Sequence, residues 1–458
     1  MKAGNRGSTP LILTALLTVS TATTAAIIEV GPSGDFTTLQ AAIDASLATT
    51  EVDEIRIVAE TFTEQLGIFP LDHPRTLTIT GGWASDFSTV TGRTTLSGGG
   101  VNNVFEVDLS AGDSVTLENL IVADGAADND AGLSGNVADA TLRVTQSEFR
   151  SNVASSDRAD GGAIRISASG TADVRVTQVT VADNQVLCSG NVDCRNAGIA
   201  LLGSDAVYLE VSGSVIERNR VEITTGSAFS AGVSLSGFGG GTLVFNDNVV
   251  RDNEVVGTNN GAIGVRLLGD FRITARRNQI VRNTAVSDVA FLFQQMATGA
   301  NGDALVVVEN TLIADGNGKG LIANVNDGGT SPAVHLMNLT IANNADNGLQ
   351  AFNNSPTGVL TLTNSITSGN GTDRQTGGDI QETTNLSGLN IGFVNAAAGN
   401  YQLSPSSPAV DAGTLPTPVP ISSGDAAGGT RLAGAAIDIG AFELGGDVLF
   451  TSSFEAGE

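Results

Sequence analysis

Lysine is almost missing from this chain. Its 458 residues hold 22 lysines and arginines together, and only Lys2 and Lys319 are lysine. Aromatic residues make up 4% of it, with one Trp and two Tyr, and there are two His, two Cys and 11 Pro. Long helices would use more Lys, Glu and Gln, so an α-solenoid fits poorly. Scarce aromatic rings argue against tight stacking recognition. Two cysteines cannot complete a four-ligand zinc site, and neither His73 nor His335 is near them in sequence. Beyond the amino terminus no apolar run is long enough to span a bilayer.

Positive charge is also short. Asp and Glu number 48, for a formal net charge of −26. The value becomes −28 once Lys2 and Arg6 are removed. Such a chain repels nucleic acid and acidic bilayers, so neither is an expected partner. What is abundant is Gly, at 57 residues, with Val, Ile, Leu, Thr, Ser, Asn and Asp. That mixture suits many short strands joined by tight polar turns.

Residues 1–26 have the order of a secretory signal peptide. Lys2 and Arg6 precede an apolar run from Leu11 to Val19, and small residues follow to Ala26. The expected location is therefore the medium or the cell surface. Cys188 and Cys194, in LCSGNVDCRN, then read as a disulfide across one protruding loop.

An eleven-residue phrase recurs through the chain: VRVTQVTVADN, LEVSGSVIERN, LVFNDNVVRDN and ITARRNQIVRN are four copies. Nine copies end at Gly125, Asn152, Asn184, Asn219, Asn253, Asn283, Gly316, Asn344 and Asn370. The first and third positions are apolar, as in Leu209 and Val211, which marks a strand with one buried face. Asn119, Gln146, Gln178, Gly213, Asn310, Asn338 and Asn364 form a column where the alternation breaks and the chain is expected to bend. A further strand precedes each phrase, as GAIRI at 162–166 and GIALL at 198–202. The expected fold is all-β: a right-handed parallel β-helix of about ten coils with three short strands each. Asn152, Asn184, Asn219, Asn253, Asn283, Asn344 and Asn370 then stack as a structural amide ladder.

The first segment after the leader, EVGPSGDFTTLQAAIDAS, resembles the amino-terminal cap of pectin-lyase-like β-helix proteins. Gly34, Asp35, Phe36, Leu39, Ala42 and Ile43 match that opening, and Phe62 and Glu64 stand where its G-x-Y-x-E motif falls. LTITGGWASDFSTVTGRTTLSGGG resembles the first coils of bacterial surface β-helix proteins. NIGFVNAAAGNYQLSPSSPAVDAG with AAIDIGAFEL resembles the closing module of the choice-of-anchor Q family, and VLFTSSFEAGE the short tail of some exported proteins. The resemblance implies a cap and first coils at 27–114, repeats at 115–385, a closing module at 386–444 and a tail at 445–458. It implies contact with a polysaccharide or cell-surface glycan, and a monomer is expected. It does not carry catalysis, because the Q-D-T-L and D-F-I-F-G strings of the methylesterases and the G-H-G motif of the hydrolases are absent.

The expected role is thus non-enzymatic adhesion or glycan contact; the alternative is a polysaccharide lyase or glycoside hydrolase with a divergent site. For a lyase, the candidates are Arg276 and Arg277, within a local concentration that includes Arg251, Arg266, Arg272 and Arg282. The same region reads more simply as a charge ladder, since Asp183, Arg218, Asp252, Arg282 and Asp315 share one phrase position. His335 is expected to face outward, as are Arg165, Ala200, Ser234 and Gly264, whose small members would leave room for a groove. DNDAG at 128–132 has a faint likeness to a calcium loop but lacks the rest of that pattern; no cofactor is expected, and calcium stays open without a motif to support it.

Overall fold

The computed structural model describes residues 26–47, 52–70, 73–190, 193–257, 259–260, 265–269, 272–285, 291–294, 305–325 and 332–446. The leader, Gly264 and the tail from residue 447 lie outside the described residues. Within them the chain winds as a parallel β-solenoid. All ladders between coils are parallel, and the antiparallel pair Phe393–Asn395 with Asn400–Leu403 lies after the last coil.

One coil shows the plan. Ile199–Ser204 lies in a first sheet, B; Tyr208–Ser212 and Val215–Glu217 lie in a second, A. Arg220–Ile223 lies in sheet C and Ser227–Phe229 in a small sheet D. The corners between them are Asp205, Gly213, Arg218 and Ser230, with φ of 67°, 60°, 52° and 52°. One left-handed residue redirects a strand without a loop, which explains the recurrent Asn, Asp and Gly. The expected bend column is left-handed at Asn119, Gln146, Gln178, Gly213, Asn310, Asn338 and Asn364. Both halves of the phrase nevertheless stay in sheet A, so the bend kinks one sheet instead of separating two. Sheet B has eleven strands, while sheets C and D have six and three and exist only in part of the solenoid.

Inward residues stack from coil to coil. Val174, Leu209, Leu243 and Ile273 are in register and without solvent exposure above 1%. Burial of such columns, at roughly 25 cal/mol per Å² of apolar surface, is the main driving term. A smaller second core, with Ala159, Val186, Val221, Ile223 and Ala228, occupies the space bounded by sheets C and D. Cys188 and Cys194 are disulfide-bonded with Cα atoms 5.9 Å apart. They are buried in that second core, not placed on a protruding loop.

The amide ladder is continuous from Asn152 to Asn283. Nδ2 of Asn152 donates to Oδ1 of Asn184 at 2.9 Å, and Asn184, Asn219 and Asn253 repeat the bond onto the next coil at 2.9–3.0 Å. Asn344 and Asn370 resume it after the gap at Gly316. A second ladder, one residue past the bend column, was not anticipated. Ser214 N donates to Asn248 Oδ1, Asn248 Nδ2 to Asn278 Oδ1, and Asn278 N to Thr311 Oγ1.

The helix Leu39–Ser46 covers the amino-terminal end, burying Leu39, Ala42 and Ile43. The Glu64 carboxylate accepts from Leu39 N at 3.0 Å and Gln40 N at 3.1 Å, so a negative charge caps the helix start. At the other end, residues 391–446 fold back along the outer face of sheet A instead of only closing the last coil. Strands Leu305–Ala314 and Ala333–Ala342 are consequently buried on both faces. Leu312, Ala314 and Ala342 pack against Tyr401, Ala426 and Phe442, and Ala441 N donates to Thr340 Oγ1 at 2.9 Å. Inside this segment Arg431, 1% exposed, donates to the carbonyls of Asp438 and Gly440. Burial pulls its guanidinium below the ordinary value against the opposing pull of Glu443, Asp425 and Asp438.

The expectation that His335 faces solvent is corrected. It is 8% exposed, its Nδ1 lies 3.0 Å from Thr361 Oγ1, and burial lowers its pKa. The expected open column on sheet B is also corrected. Arg165, Ala200, Ser234 and Arg266 are the register mates, so Gly264 was misaligned. Ala200 is 0% and Ser234 6% exposed, and no groove of small residues runs along them.

Candidate functional site

The sequence candidates Arg276 and Arg277 are both paired with carboxylates. Arg276 Nε lies 3.0 Å from the buried Glu309 carboxylate, whose Oε1 also accepts from Ser422 N of the carboxy-terminal segment. Arg277 pairs with Asp247 through two bonds of 2.6 Å, and that partner raises its pKa. A guanidinium held in its charged form by a carboxylate is a poor base. The charged column does stack: Arg218 meets Asp183 at 2.9 Å and Arg282 meets Asp252 at 2.8 Å, while Asp315 instead accepts from Tyr401 Oη at 2.5 Å.

The chemistry gathers elsewhere, on the loop side of three successive middle coils. A cavity of about 360 Å³ is lined by Asn129, Asp130, Arg158, Asp160, Arg165, Asp193 and Arg195. Its residues come from turns that enter sheet B, from sheet B itself and, for Arg195, from the strand Cys194–Arg195 of sheet D. Asp130 takes φ of 58° at the turn before Leu133–Ala138, and its N–H donates to the Asp160 carbonyl at 2.8 Å. Asp160 in turn forms a parallel bridge with Arg195 one coil on, and Arg195 pairs with Phe229. Arg165 rises from Ile164–Ser169 between the two carboxylates. Gly161 is required here, because a Cβ on it would sit 2.3 Å from Asp130 Oδ1.

Arg165 Nη1 lies 3.6 Å from Asp130 Oδ2 and its Nε 3.4 Å from Asp160 Oδ2, both too long or misaligned for a hydrogen bond. Asp160 is better held, accepting from Asn196 Nδ2 at 2.7 Å, while its own N–H donates to Asn129 Oδ1 at 3.0 Å. Asp130 has no such support, and its buried Oδ1 has no hydrogen-bond partner. Burial, opposed by Arg165 and assisted by Asp160 and Glu106, pushes its pKa up to about 6. Arg195 pairs with Asp193 and lies 5.6 Å from the centre of the Phe229 ring.

A second cavity of about 530 Å³ adjoins the same turn, lined by Val101, Asn102, Asn103, Ala127, Asp128 and Val153. Val101 is 74% exposed. Together the two recesses flank residues 128–130. The disulfide serves this region: Cys194 immediately precedes Arg195, and Ala159 N donates to Cys188 Sγ at 3.2 Å beside Asp160. Among the described residues no group of three His, Cys, Asp or Glu is placed to hold a metal ion. Sequence reasoning noticed DNDAG and the outward Arg165 but could not join them, because Asp130, Asp160 and Arg195 lie in loops of unequal length.

No family model matches the sequence. No curated protein matches it either. Among solved structures the chain is similar to one described as the crystal structure of pectate lyase Pel9A, with 12% identity and a TM-score of 0.39. The likeness covers 87% of this chain and 90% of that one.

Proposed function

We propose that this chain is exported and acts outside the membrane as a β-solenoid that contacts glycans, without a reaction of its own. The observation that carries this reading is the cleft around Arg165. Carboxylate, guanidinium and amide groups converge there on a recess of about 360 Å³ open to solvent. Such mixed donors and acceptors suit a ligand rich in hydroxyl groups. The signal-like leader and a disulfide in the second core support export. Among the described residues no helix is long and apolar enough to cross a membrane. With one edge aromatic, Phe229, and no stacking platform, affinity per site is expected to be modest. A glycan array probed with the purified mature chain tests the reading. An Arg165→Met variant should lose the signal while keeping its far-ultraviolet circular dichroism. Binding that survives this variant would place the contact elsewhere.

A second reading has its own observation. A carboxyl titrating near pH 6 beside another carboxyl is suited to proton transfer. Under it the protein is a divergent glycoside hydrolase, and Asp130→Asn should abolish release of reducing ends. For a lyase, unsaturated product would appear with calcium and vanish in Arg276→Ala or Arg277→Ala. The paired state of both arginines weighs against that outcome.

A further inference from the structure

We propose that the Arg165 cleft selects neutral, hydroxyl-bearing sugar over carboxylated or sulfated sugar, with Asp130 as the acceptor that makes the choice. The inference rests on the glycan reading above and specifies its ligand class. It starts from an imbalance in the bonding of the cleft. Asp160 is satisfied by Asn196, and Arg195 by Asp193. Arg165 is shared between two carboxylates at 3.4 and 3.6 Å. Asp130 is left as the under-bonded member: its Oδ1 is buried against Gly161 without a partner, and Oδ2, the oxygen a ligand can reach, holds only the longer ion pair.

An ionised carboxylate in that condition is a strong acceptor in search of a donor. A sugar hydroxyl supplies one, and its oxygen can accept from Arg165 in the same contact. A sugar carboxylate or sulfate offers only acceptors. It cannot bond Asp130 and would have to take Arg165 from Asp130 or Asp160. The charges facing Asp130 reinforce the choice. Glu106 comes from the strand Phe105–Leu109, Asp160 from the next turn and Arg165 from Ile164–Ser169. Across the recess Arg158, Arg165 and Arg195 stand against Asp130, Asp160 and Asp193, with Glu106 a further negative neighbour, so the lining offers an anion no net positive charge, and the chain's net charge of −26 opposes its approach.

The contact carries a proton signature. The hydroxyl bonds the ionised form of Asp130, so binding releases a proton where the free cleft is protonated. Affinity should fall on acidification through pH 6.

The test is an array of matched pairs. Each oligosaccharide is printed in its uronic or sulfated form and in its carboxyl-reduced or desulfated form, and probed with the full mature protein at pH 5 and pH 7.5. The expected result is retention of neutral members, stronger at pH 7.5. Asp130→Asn should lower that signal about tenfold and remove its pH dependence, as loss of a charge-assisted hydrogen bond requires. Asp130→Glu should restore part of it. Preference for the acidic members would overturn the inference and leave glycan contact standing. So would neutral binding that is unchanged in Asp130→Asn or indifferent to pH in the unaltered protein, a measurement that needs no variant to fold. Silence from both members of every pair would remove the glycan reading itself, and this inference with it.

Discussion

Removing one rung from the middle of the amide ladder should be far more damaging than removing one at its end. Asn219 is without solvent exposure. Its Oδ1 accepts from Asn184 N at 3.1 Å and Asn184 Nδ2 at 2.9 Å. Its Nδ2 donates to Val181 O and to Asn253 Oδ1, each at 3.0 Å. Asn219→Ala deletes these four bonds and takes from the buried Asn184 N–H its acceptor, whereas Asn253 Oδ1 keeps the Asn219 backbone N–H and Asn184 Nδ2 keeps the Phe149 and Ala182 carbonyls. At a net value near 1 kcal/mol per bond, the loss is about 4 kcal/mol, less whatever a trapped water recovers. Asn370 makes comparable bonds to Asn344, but they are only part-buried. Water can replace them, so Asn370→Ala should lose about 1–2 kcal/mol. Solenoids do not unfold as one two-state unit, so the assay is native-state hydrogen exchange resolved by segment, beside urea denaturation. Opening of Thr180–Ala182 and Arg220–Ile223 should become markedly easier in Asn219→Ala. If Asn219→Ala and Asn370→Ala were equally mild, the ladder would not hold the coils together and the argument would fail.

The raised pKa of Asp130 has a stability consequence as well as a binding one. Its folded carboxyl titrates near 6 instead of 3.8, so the native state holds more protons between those values. Stability therefore falls as pH rises through that window and is level above it, and Asp130→Asn should be about 1–3 kcal/mol more stable at pH 7 in urea melts. Replacing Cys188 and Cys194 by Ser should lower stability by about 2 kcal/mol, the value for so short a closed loop. Because Arg195 adjoins the bridge, the same double variant should also weaken glycan retention on the array. Truncation after Ser387 should uncover Leu312, Ala314, Ala342 and Ile366, giving a protein that binds a hydrophobic dye and aggregates. A soluble, dye-silent truncation would show that the covering segment is not needed to shield that face.

The solenoid was legible because its information is local and repeated. A left-handed corner asks for Asn, Asp or Gly, and an inward strand asks for Val, Leu or Ile, coil after coil. Each copy therefore corroborates the rest. Even Arg218 and Arg282 obey the rule, taking φ of 52° and 53° while bonding to the coil before. The back-folded cover was not legible, since nothing in SPAVDAG or AAIDIGAFEL states which sheet face they meet. Nor was the burial of His335. Its alternation places it outward, yet it is 8% exposed on a strand that is buried on both faces.

The cleft was hidden for a related reason. Asp130, Asp160 and Arg195 come together through loops of differing length, so no fixed offset in the sequence marks them as neighbours. The spacing rule that exposes the scaffold is the one these loops depart from. That departure is itself informative. In a fold whose corners need only one left-handed residue, the turns at 128–132 and 157–163 are longer than closure of a coil requires. They carry four of the seven charged or amide groups of the cleft, Asn129, Asp130, Arg158 and Asp160, while Arg165 and Arg195 stand on strands. A solenoid therefore gains a specific site where its repeat is least regular. Within this chain, the residues to vary first are those that the periodicity does not explain.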